Sequence, residues 1–232
     1  MVALSALKPV ALETELLVKI IYSGLAKERY GQDVHKWLVE NDMAPHYFTP
    51  FLTTLSSAPS APPRTLHLET YHVMEYLPPP SGASMGWMTL YDLGRNYPKE
   101  AAESKQKISR ALDAIVHMLQ SHNFVHGDFR TNNVLVCIQI NPNSHDGPSV
   151  IIQPSPQSEL QAYLKVVDFD WASIAGKVRY PSIRNPDIQW PGVNGKTISM
   201  NHDEEMINHW MAFWPEDPQP VQVLAEVGFI EQ

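Results

Sequence analysis

Cysteine is almost absent. Cys137 stands alone in 232 residues, so no disulfide can form within the chain, and its place in the apolar run Asn-Val-Leu-Val-Cys-Ile reads as a buried structural thiol. Long apolar runs are missing too. No stretch is long enough to span a bilayer, and no charged-then-apolar leader opens the chain, so a soluble intracellular protein of cytoplasm or nucleus is expected. Basic clusters are also lacking. With 25 acidic against 17 basic side chains and a net charge of −8, the chain repels phosphate backbones and anionic membranes, so neither nucleic acid nor membrane is an expected partner. Lys99, Lys105, Lys107 and Arg110 are interspersed with Glu100 and Glu103, the pattern of a solvated helix face.

What is present is a 44% hydrophobic composition, enough to build one domain or two small lobes. The β-branched run over 15–22 predicts a buried strand carrying one lysine, Lys19. Tyr30, Val34, Trp37 and Leu38 recur at helical spacing and predict a helix over 30–38. The Ser, Ala, Thr and Pro residues of 49–64 predict a loop. A strand is expected over 67–77, stopped by Pro78, Pro79 and Pro80.

A long helix should cover 99–122, with Ile108, Leu112, Ile115, Val116 and Leu119 as its apolar stripe. His117 and His122 on it have no ligand-spaced partner and read as surface or packing residues. Short strands are expected over 134–140 and 164–168. The Pro- and Ser-rich insertion between them, 141–161, reads as a mobile surface loop. Pro181, Pro186 and Pro191 then punctuate the chain before a last helical signal near His202.

The densest chemistry lies in Val125-His126-Gly127-Asp128-Phe129-Arg130-Thr131-Asn132-Asn133, before one apolar strand, and in Val167-Asp168-Phe169-Asp170-Trp171, after the next. Asp and Asn are common where strands end, so each polar residue alone reads as a turn residue. Together they fit a different demand. Phosphoryl transfer from ATP needs a carboxylate to receive the acceptor's proton and a few oxygen ligands holding magnesium against the phosphates.

This pattern resembles the protein-kinase-like superfamily in its His-Gly-Asp variant, and with Val178-Arg179-Tyr180-Pro181 and Trp190-Pro191 it most resembles the fungal-type protein-kinase family. The resemblance implies an α+β, two-lobed kinase-like fold, with an incomplete N-lobe over 1–77 and a mainly helical C-lobe over 78–232. It implies Asp128 as catalytic base, Arg130 steadying the transferring phosphate, and Asn133 and Asp168 as ligands of Mg2+. His126 would brace the loop. Lys19 would pair with the phosphates of ATP, its alternative reading being an edge-strand lysine, and Asp33 would hold it, with Glu28 as the alternative. Met74-Glu75-Tyr76-Leu77 would be the adenine-binding hinge, entered through Glu75. Asp203 is either a tie to the loop backbone or a helix-start residue. Trp171 is expected to fill core.

Three departures accompany the resemblance. Asp170 replaces a glycine, which restricts the backbone of the Asp-Phe-Asp turn. Gly127 stands where regulated kinases carry an arginine that grips a phosphorylated segment, so activity independent of such phosphorylation is expected. Residues 1–15 contain no glycine, so the glycine-rich cover over the phosphates has no counterpart there. The implied activity is an ATP-dependent kinase acting on Ser/Thr hydroxyls of a protein substrate. The alternatives are a kinase of a small-molecule hydroxyl, of the aminoglycoside or choline kinase type, and a pseudokinase interaction module.

Overall fold

A computed structural model describes residues 16–22, 30–53, 69–81, 85–140, 147–154 and 160–215. Helices and antiparallel sheets share the chain, making it an α+β protein.

The first sheet has the order β1-β3-β2, from β1 (Leu16–Tyr22), β2 (Tyr47–Thr53) and β3 (Glu69–Glu75). β2 corrects the loop expected from residue 49. Its proline, Pro50, falls where the register shifts between Phe48 and Phe51, on an outer strand of the described sheet. There a missing N–H interrupts no ladder on the far side, so composition alone misleads. Helix α1 (Gln32–Glu40) links β1 to β2 in sequence and buries Val34, His35 and Leu38.

The second sheet runs β10-β6-β4, from β4 (Met85–Thr89), β6 (Val134–Gln139) and β10 (Leu164–Val166). β7 (Ser149–Val150) also pairs with β6, and β8 (Ile152–Pro154) pairs with β9 (Leu160–Ala162). The insertion expected as a surface loop is thus partly sheet. The short apolar run Val150 to Ile152 supplies strand residues that the surrounding Pro and Ser conceal, and Gln161 and Ala162 are buried.

Helix α2 (Leu90–Asn96) follows β4 and is capped by Thr89, whose Oγ1 accepts from the Asp92 N–H at 2.9 Å. Helix α3 (Pro98–Ser121) begins with proline at its first position, where the missing N–H costs nothing. Its expected stripe is buried against Leu90, Leu93, Phe129, the central strands and Met206 and Ile207 of α4 (His202–Phe213). Each fully buried Leu or Ile there contributes about 1.5–3 kcal/mol. His117 is exposed, and exposed His122 packs on Trp37 with ring centroids 4.2 Å apart. Cys137 is buried, and burial pushes its thiol pKa up, away from the reactive thiolate. Among the described residues no helix is long and apolar enough to cross a membrane.

Two strand pairs frame the rest. β5 (Phe124–Val125) pairs with β11 (Ser173–Ile174), and β6 pairs with β10. The loop 126–133 leaves β5 and enters β6, while 167–172 leaves β10 and enters β11, so the two polar segments face each other.

Candidate functional site

The loop 126–133 is held from below by one carboxylate. Asp203, buried in the first turn of α4, accepts the N–H of His126 at 2.6 Å and of Gly127 at 2.8 Å through its two oxygens. Of the two readings of Asp203, the structure selects the tie to the loop. Burial raises its pKa, opposed by the nearby His126 and the two N–H donors. Gly127 takes φ of +80°, and a Cβ there would lie 2.8 Å from Ile198 Cδ1 and 3.0 Å from the Trp171 carbonyl oxygen. Only glycine fits both constraints.

His126 is fully buried and bonds through Nε2 to the Val167 carbonyl at 3.1 Å, joining one polar segment to the other. Asn133 repeats the connection: its carbonyl accepts the Val167 N–H at 3.0 Å, and its Nδ2 donates to the Asp128 carbonyl at 2.9 Å. That bond orients the side-chain amide and leaves Oδ1 as the atom a cation would meet.

Asp128 is buried and paired with Arg130 through both oxygens, at 2.5 Å to Nε and 2.7 Å to Nη2. The Nη2 contact is a charge-assisted hydrogen bond and the Nε contact an ion pair, and together they restrict the carboxylate's orientation. Asp168 follows β10 in the left-handed region at φ 68° and ψ 67°, a conformation that costs a non-glycine residue about 1–2 kcal/mol. Such strain persists only where the surroundings enforce it, and here the bonds on Val167 and Phe169 do so on either side.

Phe169 carries the second half of the site's support. Its carbonyl accepts the Gly31 N–H at 2.7 Å, and its ring stacks on His35 of α1 at 4.2 Å and 9°. His35 is the residue that sequence patterning passed over, because a histidine does not count toward an apolar stripe. It spans Tyr30, whose hydroxyl lies 2.6 Å from Nδ1, and the Pro45 carbonyl, 2.8 Å from Nε2. The Tyr30 phenol is pushed upward in pKa by burial, then by Tyr47, Asp170 and Asp168.

A cavity of about 300 Å³ opens beside these groups, lined by Leu17, Met74, Glu75, Leu77, Leu135 and Asp168 among others. Glu75 stands on its wall, and its carboxylate accepts the His46 N–H at 3.0 Å, so the side chain serves the fold. Asp33 is exposed in the first turn of α1, where it complements the helix dipole. Lys19 sits mid-strand in β1 opposite His72. Its side chain, and hence the expected pair with Asp33, lies outside the described residues, as does Glu28. Trp171 packs against the small cluster of Val125, Tyr180 and Ile198, in keeping with core filling.

Burial holds His35 neutral, with its pKa lowered to about 4 despite its bond to Pro45, and neighbouring His126, His72 and His46 oppose its charging too. The folded state therefore takes up this proton later than the unfolded chain. Stability from this group is complete above about pH 6.5 and is lost as pH falls toward 4, by at most about 3 kcal/mol. His35→Phe keeps a ring on Phe169, and its urea midpoint should fall less steeply than the native protein's across that interval. Equal slopes would show that His35 is not the titrating group.

Compared with known proteins, the chain matches no family model and no curated protein significantly.

Proposed function

We propose that the protein is an ATP-dependent phosphotransferase with a kinase-like two-lobed arrangement, of the fungal-type protein-kinase kind, acting on Ser/Thr hydroxyls of a protein. The observation that supports it best is the meeting of loop 126–133 with Asp168 across two strand pairs, at the end of the cavity beside Glu75. That cavity is the adenine and phosphate site on this reading, with residues 74–77 as its hinge and Lys19 as the phosphate-pairing lysine.

Asp128 receives the proton of the acceptor hydroxyl, and Arg130, already on that carboxylate, neutralises charge on the group being transferred. The oriented Asn133 amide and the strained Asp168 turn fit Mg2+, which asks for few protein oxygens and takes the rest from phosphate and water. When bound, the ion neutralises phosphate charge. Among the described residues no group of three His, Cys, Asp or Glu side chains could hold a metal.

A second reading, a small-molecule acceptor, is favoured by a cavity of about 390 Å³ beside Arg130, walled by Tyr91, Arg95, Trp210, Phe213 and Trp214. That size suits a compact ligand held by rings and a few polar groups.

Thermal unfolding with and without ATP and Mg2+ tests the common core of both readings. At about a hundredfold excess over Kd the native protein should gain about 2.7 kcal/mol, roughly 5–10 °C. Asp168→Ala, compared with its own nucleotide-free form, should lose most of that gain. A native protein that gains nothing would leave the interaction-module alternative in place of an enzyme.

A further inference from the structure

We propose that Arg184 is a positioning residue for Arg130, acting through Trp190, and that it fixes the shape of segment 180–198 without covalent modification; the role for Arg130 rests on the phosphotransferase reading.

The segment holds Pro181, Pro186 and Pro191, each without an N–H, and the backbone bonds between its two limbs lie at its base, where Tyr180 donates to Lys196 and Ile198 to Val178, so the stretch beyond them depends on side chains. Arg184 supplies what the backbone lacks. Its guanidinium lies 4.2 Å from the Tyr180 ring centroid and 4.9 Å from that of Trp190. Nε donates to Asn194 Oδ1 and Nη2 to the Gly192 carbonyl, both at 2.6 Å. One side chain thus ties the outgoing limb of the segment to its return. Asn194 closes the loop by donating to the Ser182 carbonyl at 3.1 Å, and Trp190 Nε1 donates to the Asn185 carbonyl at 3.0 Å.

The neighbouring packing matches this role. A Cβ on Gly192 would lie 2.6 Å from Tyr180 and 2.7 Å from His202, so a glycine lets the chain pass close enough to offer its carbonyl. Tyr180 is buried with Val125 and Ile198, which anchors the segment beside β5. Trp190 carries the order inward: it packs on Trp171 at 5.2 Å, and Arg130 lies 5.5 Å over its ring. The line Arg184, Trp190, Arg130, Asp128 runs unbroken from the segment to the carboxylate. Segments that await phosphorylation are ordered by an added anion meeting an arginine. Here the cation meets aromatic faces and carbonyls already in the chain, and a planar fork with several donors is needed, which lysine does not provide.

The test compares the native chain with Arg184→Met, Arg184→Lys and Trp190→Leu by hydrogen exchange, turnover and ATP·Mg2+ thermal shift. The amides of Tyr180, Gly195 and Ile198, bonded to Lys196, Tyr180 and Val178 in the native segment, are the reporters. In Arg184→Met their exchange should rise about tenfold or more. Its kcat should fall roughly tenfold or more while the nucleotide shift is kept. Arg184→Lys should recover part of the protection and little of the kcat. Trp190→Leu should lower kcat even with Arg184 in place.

Unchanged exchange in Arg184→Met overturns the proposal whether or not nucleotide binds, and so does a loosened segment with unchanged kcat. A native chain without nucleotide stabilisation fails the phosphotransferase reading, and with it the role assigned to Arg130.

Discussion

On the phosphotransferase reading, Asp128→Asn should keep the binding of ATP and Mg2+ and transfer phosphate about a thousandfold more slowly than the native chain, a loss of about 4 kcal/mol of transition-state stabilisation. Asp128 is buried, oriented by Arg130 at two points, and one peptide segment away from the Asn133 amide that its own carbonyl positions. An asparagine fits the same space and cannot take up the hydroxyl proton. It also sets an NH2 against the Arg130 fork, so a loss of about 1–2 kcal/mol in stability accompanies the change. The thermal shift separates the two effects: a variant that unfolds early but still gains stability from nucleotide has kept its fold and its nucleotide site. Unchanged transfer with binding intact would remove Asp128 from the reaction.

The second large effect is on the fold. Asp203→Ala should destabilise the protein by about 3–5 kcal/mol, because it leaves the buried N–H groups of His126 and Gly127 without acceptors. Asp203→Asn keeps one acceptor oxygen and should cost about half as much. Urea denaturation reads both, and the m-value reports whether the unfolding remains a single transition. A loss under about 1 kcal/mol in Asp203→Ala would mean that water replaces the carboxylate, and the buried tie would then be incidental to the loop's shape.

How much of this was legible in the sequence follows from where the determining forces lie. Helix α3 could be read closely because its stripe is local: expected over 99–122, it runs Pro98–Ser121. The loop 126–133 and Asp168 were legible as a set because their residue types are improbable inside apolar sequence, and the fold brings the two segments together. Asp203 could be noticed but not resolved, since a carboxylate in a first helical turn is favoured by the helix itself as well as by a distant partner.

β2 was misread because Pro50 and the Thr residues describe the strand's chemistry without its position at the sheet's outer side. β7 to β9 were hidden by composition averaged over a long insertion. α2 and β4 went unread, their signals too short to stand out from the prolines before them. His35 was invisible for a deeper reason. Its role is a stack on Phe169 from a residue far off in the chain, and nothing in local periodicity distinguishes a histidine that packs from one that faces water.

The crowding around Gly127 has a consequence for how control of this site could be acquired. A side chain there meets Ile198 and the Trp171 backbone, and the +80° backbone angle strains any replacement before its length matters. Gly127→Arg is therefore closed as a single evolutionary or engineering step toward a phosphate-gated protein. Reaching one would require repacking Ile198 and shifting the Trp171 backbone in concert.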